Sequence, residues 1–368
     1  MRRYFKYIFS ITFVLLIGTI SLCNYPNLKG SIHQPLNSLE GNYNENFFGK
    51  MGLVDVNGIY MRTLDKDVIK GVINVNDSLI LDSDIVYDIS IYEDDINYTK
   101  KVLDHAKLGG AKALYVQHPT KVNEFLEFVP YNKANNAVNT DEYWLKQMSN
   151  GRYDVLDLTD MKYEANAFYK TDHHWTNKSS LNAAKAILEK LELDSSVCDI
   201  NNYNVDCYKS SLLGSAGIKV GAGYFGKDDF EVYLPEFTTE LSYKHLINDE
   251  IVFESNGNFK ECFIDQAILN DKDYNNKYNV FLNGGYVENI ICNSKQKNGS
   301  KLLIISDSFA RPMTQYLSLA FEETRYLDPQ MGRYNESLIR YIDDYNPDFV
   351  VIMYSLNYDD NLLNNEGV

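Results

Sequence analysis

The stretch Tyr169-Lys170-Thr171-Asp172-His173-His174-Trp175-Thr176-Asn177 places an acid, two adjacent imidazoles and a tryptophan just before a run that reads as a helix, Lys178 to Leu191. Histidine is the side chain best suited to moving protons near neutral pH. In an extended or turning segment, side chains two residues apart return to the same side. Asp172 and His174 can therefore face each other while His173 points elsewhere, which is the geometry of a carboxylate orienting a general base. The missing partner is a nucleophile. Lys301 to Ile305 reads as a buried parallel strand running into Ser306-Asp307-Ser308-Phe309-Ala310 and then a helix. Ser308 would sit at the strand-to-helix turn, where a hydroxyl is exposed at the carboxyl edge of a sheet. Each signal alone has a plainer reading, a capped turn for the Asp-x-His and a helix cap for the serine. Together, each on a loop beside a regular element, they favour chemistry: Ser308 as nucleophile, His174 as base and Asp172 as its orienter. The sequence leaves open whether His174 or His173 is the base.

These residues need a frame. From Phe47 to about Ile89 short apolar runs alternate with Asn, Asp and Gly, which predicts small β elements, including strand and turn over Val54 to Tyr60 and a strand over Ser78 to Leu81. Then helix and strand alternate. Asp94 to Leu108 reads as a helix closed by Gly109-Gly110, and Ala113 to Gln117 as a strand ended by His118-Pro119-Thr120. Thr140 to Asn150 suggests a helix and Tyr153 to Leu158 a strand. Strands separated by helices of this size imply a parallel sheet with helices on both faces. Working groups gather at the carboxyl ends of such strands, so His118 is a candidate substrate contact or simply a loop residue. Residues 195–299 break the pattern and read as an inserted β-rich lobe. Gly221 to Gly226 matches a dinucleotide motif in letters only, because it neither follows a strand nor opens a helix. The last part is strand-helix-strand-helix-strand: Lys301 to Ile305, Arg311 to Ala320, Thr324 to Asp328, Asn335 to Tyr345 and Phe349 to Tyr354.

The chain has 368 residues, 45% apolar and 23% charged, with a formal net charge of −16. That charge argues against nucleic acid as a partner, since phosphate binding needs clustered Lys and Arg. Arg2, Arg3 and Lys6 precede an uncharged apolar run from Tyr7 to Cys23. This predicts a signal anchor over 1–23, with the basic end cytoplasmic and the catalytic part extracellular; a cleaved signal peptide is the competing reading. Residues 24–50 read as a stalk. Cys198, Cys207, Cys262 and Cys292 permit two disulfides or four free thiols. Without a Cys-x-x-Cys, and with His173 and His174 adjacent, no metal site is expected, and no cofactor motif is present.

Asp172-His173-His174-Trp175 followed by Thr-Asn-Lys, with the later Ser-Asp-Ser-Phe-Ala, resembles the DHHW proteins, in the alginate O-acetyltransferase-like branch of the SGNH hydrolases. The resemblance implies an SGNH-hydrolase-like (flavodoxin-like) three-layer α/β sandwich. Its first part would span 51–194 and its second 300–368, circularly permuted because the acid and base precede the nucleophile. It also implies an oxyanion hole completed from the loops after the next two strands, which nominates Gly332 and Asn357. Ser306 departs from the family's common Gly before Asp-Ser. The implied activity is O-acetyl transfer to a cell-surface or exported polysaccharide, with the acetyl donor supplied by a membrane-bound O-acyltransferase partner. A carbohydrate esterase using the same triad and a glycan-binding protein without catalysis are the alternatives. Trp175 could pack beside His174 or stack on a sugar ring, and Arg311 is a further candidate substrate contact.

Overall fold

A computed structural model describes residues 2–31, 47–130, 136–272, 275–285, 287–329 and 338–354. The chain divides into two compact units, one of residues 1–66 and 218–225, the other of residues 67–217 and 226–368. All the residues that could do chemistry lie in the second.

Among its described residues that unit contains thirteen strands: β1 (Val68–Ile69), β2 (Val72–Val75), β3 (Ser78–Leu81), β4 (Lys112–Gln117), β5 (Asp154–Asp157), β6 (Tyr203–Leu212), β7 (Asp228–Pro235), β8 (Leu241–Ile247), β9 (Glu250–Gly257), β10 (Glu288–Asn293), β11 (Lys301–Ser306), β12 (Glu323–Leu327) and β13 (Phe349–Met353). Eight of them form one sheet in the order β5-β4-β13-β11-β12-β10-β8-β9. The first five are parallel. β10, β8 and β9 then extend the sheet antiparallel. The sheet is thus mixed, where the alternating pattern predicted a parallel one. For β9 the reason is local. Asn248 and Asp249 both take positive φ, 51° and 64°, as a two-residue hairpin turn requires, and such a turn can only return the chain antiparallel.

The parallel strands are buried on both faces and split their side chains by a period of two. Leu114, Val116, Leu302, Ile304, Tyr326, Val351 and Met353 point to one side, into a core shared with the helices Asn177–Lys190 and Ala310–Leu317. Ala113, Tyr115, Leu303, Ile305, Leu327, Val350 and Ile352 point to the other, towards Glu93–Leu108, Thr140–Met148 and Leu338–Tyr345. The result is a three-layer α/β arrangement whose carboxyl strand ends lie on one edge. Two smaller sheets, β1-β2-β3 and β6-β7, complete the unit. Cys198 and Cys262 are buried, Cys207 and Cys292 exposed, and all four are free thiols.

In the first unit, Lys50–Thr63 is a helix, not the strand and turn expected over Val54 to Tyr60. The alternation Val-Asp-Val-Asn imitates a strand, yet Gly58 lets this helix lie directly on the backbone of Val220 and Tyr224, where a Cβ would sit 2.5 Å from the Val220 carbonyl oxygen. Arg2–Ser31 is also helical. Its polar end begins at Asn24, which donates to the Ile20 carbonyl and accepts from the Phe48 N–H, and Pro26 lies within it. Among the described residues no helix is long and apolar enough to cross a membrane. The expected single-pass anchor over 1–23 is therefore corrected, and with it the inside–outside placement drawn from it.

Candidate active site

Asp172, His173 and His174 sit at the tip of a tight excursion. Its base is closed by an antiparallel bridge between Phe168 and Trp175 and by bonds from Tyr169 N–H to the His174 carbonyl and from Thr176 N–H to the Ala167 carbonyl. Thr176 then caps the helix Asn177–Lys190, its hydroxyl accepting from Ser179 N–H. The chain thus leaves the excursion straight into a rigid element.

Three groups from elsewhere hold this loop. The Asp228 carboxylate, at the start of β7, accepts from the N–H groups of Lys170 and Thr171 and from the Thr171 hydroxyl, at 2.8, 2.8 and 2.5 Å. The buried Lys121 ammonium donates to four carbonyls, those of Leu79, Tyr169, Lys170 and Asp172, all within 2.9 Å. Burial pulls that ammonium down to about 8, with Asp172 and Asp228 pulling it back up. Gly214 supplies the third contact, because a Cβ there would lie 2.2 Å from the Asp172 Cβ. Only glycine permits this approach, which lets the next N–H, of Ser215, donate to Asp172 Oδ2 at 2.6 Å.

Ser308 arrives on the opposite element. β11 ends at Ser306, buried and in parallel register with Met353. Ser306 is not among the residues with positive φ, so the turn needs no glycine at this position. Asp307 Oδ1 accepts from Phe309 N–H at 2.9 Å, the Tyr326 hydroxyl donates to the Asp307 carbonyl at 2.7 Å, and the helix Ala310–Leu317 follows.

The two elements meet in a continuous line. His174 Nδ1 lies 2.5 Å from Asp172 Oδ1, and His174 Nε2 lies 2.8 Å from Ser308 Oγ. Asp172 Oδ1 also accepts from the His174 N–H at 3.0 Å. Burial pushes the Asp172 carboxyl up, but the His174 and His173 imidazoles outweigh it and hold it well below the usual carboxylate range. Burial pulls His174 below the ordinary histidine value against the upward pull of Asp172. A carboxylate that stays ionised and an imidazole that stays neutral can together take a proton from a hydroxyl near neutral pH. Tyr278 lies flat on the His174 ring, with centroids 3.8 Å apart and planes at 15°, and its hydroxyl donates to the Ser308 carbonyl at 3.2 Å.

The other expected site residues fall elsewhere. Trp175 is buried, its indole N–H donating to the Phe309 carbonyl at 3.0 Å, so it packs under the nucleophile turn instead of offering a ring to a sugar. His118 is fully buried, stacked 4.4 Å from Phe309, with its Nδ1 2.8 Å from the Pro119 carbonyl oxygen. It too is a packing group with no surface for substrate. Arg311 is nearly buried one turn beyond Ser308; it donates to Asn279 Oδ1 at 3.3 Å and lies 3.8 Å from Asp328. Gly332 and Asn357 lie outside the described residues. Lys121, Asp228, Gly214, Ser215 and Tyr278 escaped the sequence reading. None lies in a motif, and each works through a contact with a distant segment.

Asp172, His173 and His174 also bring three atoms able to ligate a metal within 4.8 Å of one another. Both oxygens of Asp172 already accept N–H bonds, and His174 Nε2 faces Ser308. A cation here would have to break the line just described.

An α/β fold with a serine, a histidine and an aspartate converging at its carboxyl edge defines the class. The profile of the DHHW protein family matches residues 119–327, a span that includes both the base loop and the nucleophile turn. The chain belongs to the DHHW family. No curated protein matches it. Among solved structures, PatB1 of Bacillus cereus with a sulfonyl adduct is similar at a TM-score of 0.61 and 18% identity, over 80% of this chain and 96% of that one. A DHHW family protein from Eubacterium siraeum has a TM-score of 0.59 and 20% identity, over 82% of this chain and 97% of that one. At these identities the likeness is one of fold.

Proposed function

We propose that the protein is an O-acetyltransferase that moves an acetyl group to a hydroxyl of a polysaccharide through an acetyl–Ser308 intermediate. The observation that carries this reading is the unbroken line Ser308–His174–Asp172, with hydrogen-bond distances at both links. In the first half-reaction Ser308 Oγ bonds the acetyl carbon as its proton passes to His174 Nε2. The leaving group departs with that proton. In the second, an acceptor hydroxyl gives its proton to His174, its oxygen bonds the same carbon, and Ser308 Oγ leaves and recovers the proton. General-base action of this kind contributes roughly 10² to 10⁴ in rate. The Ser308 N–H would help hold the oxyanion, with Gly332 and Asn357 as proposed further donors. The SGNH-like permuted topology belongs to the same proposal, and so does an acetyl donor handed over by a partner acyltransferase. That PatB1 has been captured with a sulfonyl adduct suggests a direct probe, because a sulfonyl halide reacts with an activated nucleophile.

The test uses the full chain with 4-nitrophenyl acetate, alone and with a panel of neutral oligosaccharides, and follows acetyl on Ser308, acetyl on sugar and free acetate by mass spectrometry. The expected result is a burst of nitrophenol, acetyl on Ser308 and acetylated sugar, all lost in Ser308→Ala. A sulfonyl fluoride should label the wild type at Ser308 and block the burst. Acetate without acetylated sugar would replace the transferase by an esterase. No acetyl–enzyme and no turnover would overturn the enzymatic reading.

A further inference from the structure

The relay uses one of two adjacent histidines, and the second is also held in place. His173 lies with its ring centroid 3.9 Å from that of His174, the planes at 33°. Its Nδ1 is 2.9 Å from the Ser215 hydroxyl. The backbone N–H of that same Ser215 is bonded to Asp172 Oδ2. The ring is therefore oriented by the group that anchors the acid. Its Nδ1 is 3.8 Å from Asp172 Oδ1, too far for a hydrogen bond, so His173 does not compete for the carboxylate.

What separates the two imidazoles is access. The His174 side chain is 9% exposed, with both nitrogens committed to Asp172 and Ser308. The His173 side chain is 25% exposed. Among the described residues its Nε2 has no hydrogen-bond partner. Burial first, and His174 second, push this imidazole down to about 4, so it is neutral at ordinary pH. A neutral imidazole nitrogen offers one donor or one acceptor, according to tautomer. That suits a neutral hydroxyl, while the adjacent Asp172 carboxylate disfavours an anion.

We infer that the free edge of His173, fixed by Ser215, binds the acceptor of the second half-reaction: a neutral sugar whose one hydroxyl is acetylated while a neighbouring hydroxyl bonds His173 Nε2. The assignment rests on the transferase reading above and adds where the acceptor is held. Hydroxyls on adjacent sugar carbons both donate and accept, so the contact forms with either tautomer. It holds the reacting oxygen beside His174 Nε2, where its proton is taken as the bond to the acetyl carbon forms and the Ser308 Oγ–acetyl bond breaks. Water lacks the second hydroxyl and gains nothing from the contact. His173 thereby favours transfer over hydrolysis.

The test compares wild type with His173→Phe, which keeps a ring and removes the nitrogens, and His173→Gln, which keeps a polar end. Each is given 4-nitrophenyl acetate and an oligosaccharide that the wild type acetylates. Acetyl loading onto Ser308 is measured first in each variant, and the comparison is made per acetyl–Ser308 formed. In His173→Phe the ratio of acetylated sugar to acetate falls about three- to tenfold, the worth of one hydrogen bond, chiefly through a higher KM for sugar, and His173→Gln recovers part of it. An unchanged ratio in His173→Phe would overturn the inference and leave the transferase reading standing. Loss of acetyl loading in both variants would overturn it in favour of a role on the Ser308–His174 pair. A wild type that yields acetate but acetylates no sugar would overturn the transferase reading itself, and this inference with it.

Discussion

The loop that carries the proposed base, His174, and the turn that carries the proposed nucleophile, Ser308, are held by different means. The loop is fixed by charges: two brought from outside, the Lys121 ammonium on four carbonyls and the Asp228 carboxylate on two N–H groups and a hydroxyl, and one of its own, Asp172 on His174. The turn is fixed mainly by an apolar strand buried on both faces and by neutral donors, the hydroxyls of Tyr278 and Tyr326 and the indole of Trp175, with a single carboxylate of its own, Asp307, on the Phe309 N–H. A buried charge is costly once its partners are gone, while a neutral hydrogen bond contributes only about 1 kcal/mol net. The base side should therefore be brittle and the nucleophile side tolerant.

The most damaging single change on the base side is Asp172→Asn. The new amide can present an N–H to His174 Nδ1, reversing the tautomer so that Nε2 no longer accepts from Ser308. Acetyl–enzyme formation from 4-nitrophenyl acetate should fall roughly 10³- to 10⁴-fold. In the wild type the acid limb of that reaction should have its midpoint below 6.5, because burial lowers His174. In the variant it should move lower still, since the carboxylate that raises His174 is gone. A limb that moves upward would break the assigned relay.

Next comes Lys121→Met, which keeps length and removes the charge, leaving the carbonyls of Leu79, Tyr169 and Asp172 without its donors while that of Lys170 keeps the Leu79 N–H. The expected loss is about 3 kcal/mol in urea unfolding, with a fall in acetyl loading. Loss of stability with loading intact would mean that the ammonium supports the fold and does not place the loop. The smallest effect is expected on the other side. Tyr278→Phe keeps the ring on His174 and deletes only the bond to the Ser308 carbonyl, so about 1 kcal/mol of stability and a several-fold loss of rate should go. If Tyr278→Phe proves as damaging as Lys121→Met, the contrast between charged and neutral restraint fails.

The same contrast explains what could be read from the sequence. The strand-to-helix turn at Ser308, the proposed nucleophile, was legible because its supports are local: a continuous apolar run, Leu302 to Ile305, then Ser308 at the turn. Asp172 and His174 were legible because their spacing of two aligns them. The restraints on the base loop were not, since Lys121, Asp228 and Ser215 act across about 40 to 60 residues of chain. The same limit applies to His118, nominated by its place at a strand end, and to Trp175, which the sequence left between packing and stacking on a sugar: burial places both beneath the turn. The antiparallel extension was missed for another reason. β8 alternates buried and part-exposed residues, but β9 is exposed or part-exposed along its whole length. An edge strand of that kind carries little hydrophobic pattern.

The order of the sheet also bears on how the protein is made. β13 lies between β4 and β11 yet follows the other described strands in chain order. Synthesis runs from the N-terminus, so β4–β5 and β11–β12 emerge as two half-sheets with raw inner edges. The seat for Phe349–Met353 stays open until that strand leaves the ribosome. Unpaired edges invite pairing with other chains. Until β13 is in place, the slot between β4 and the strand that carries Ser308 offers two such edges.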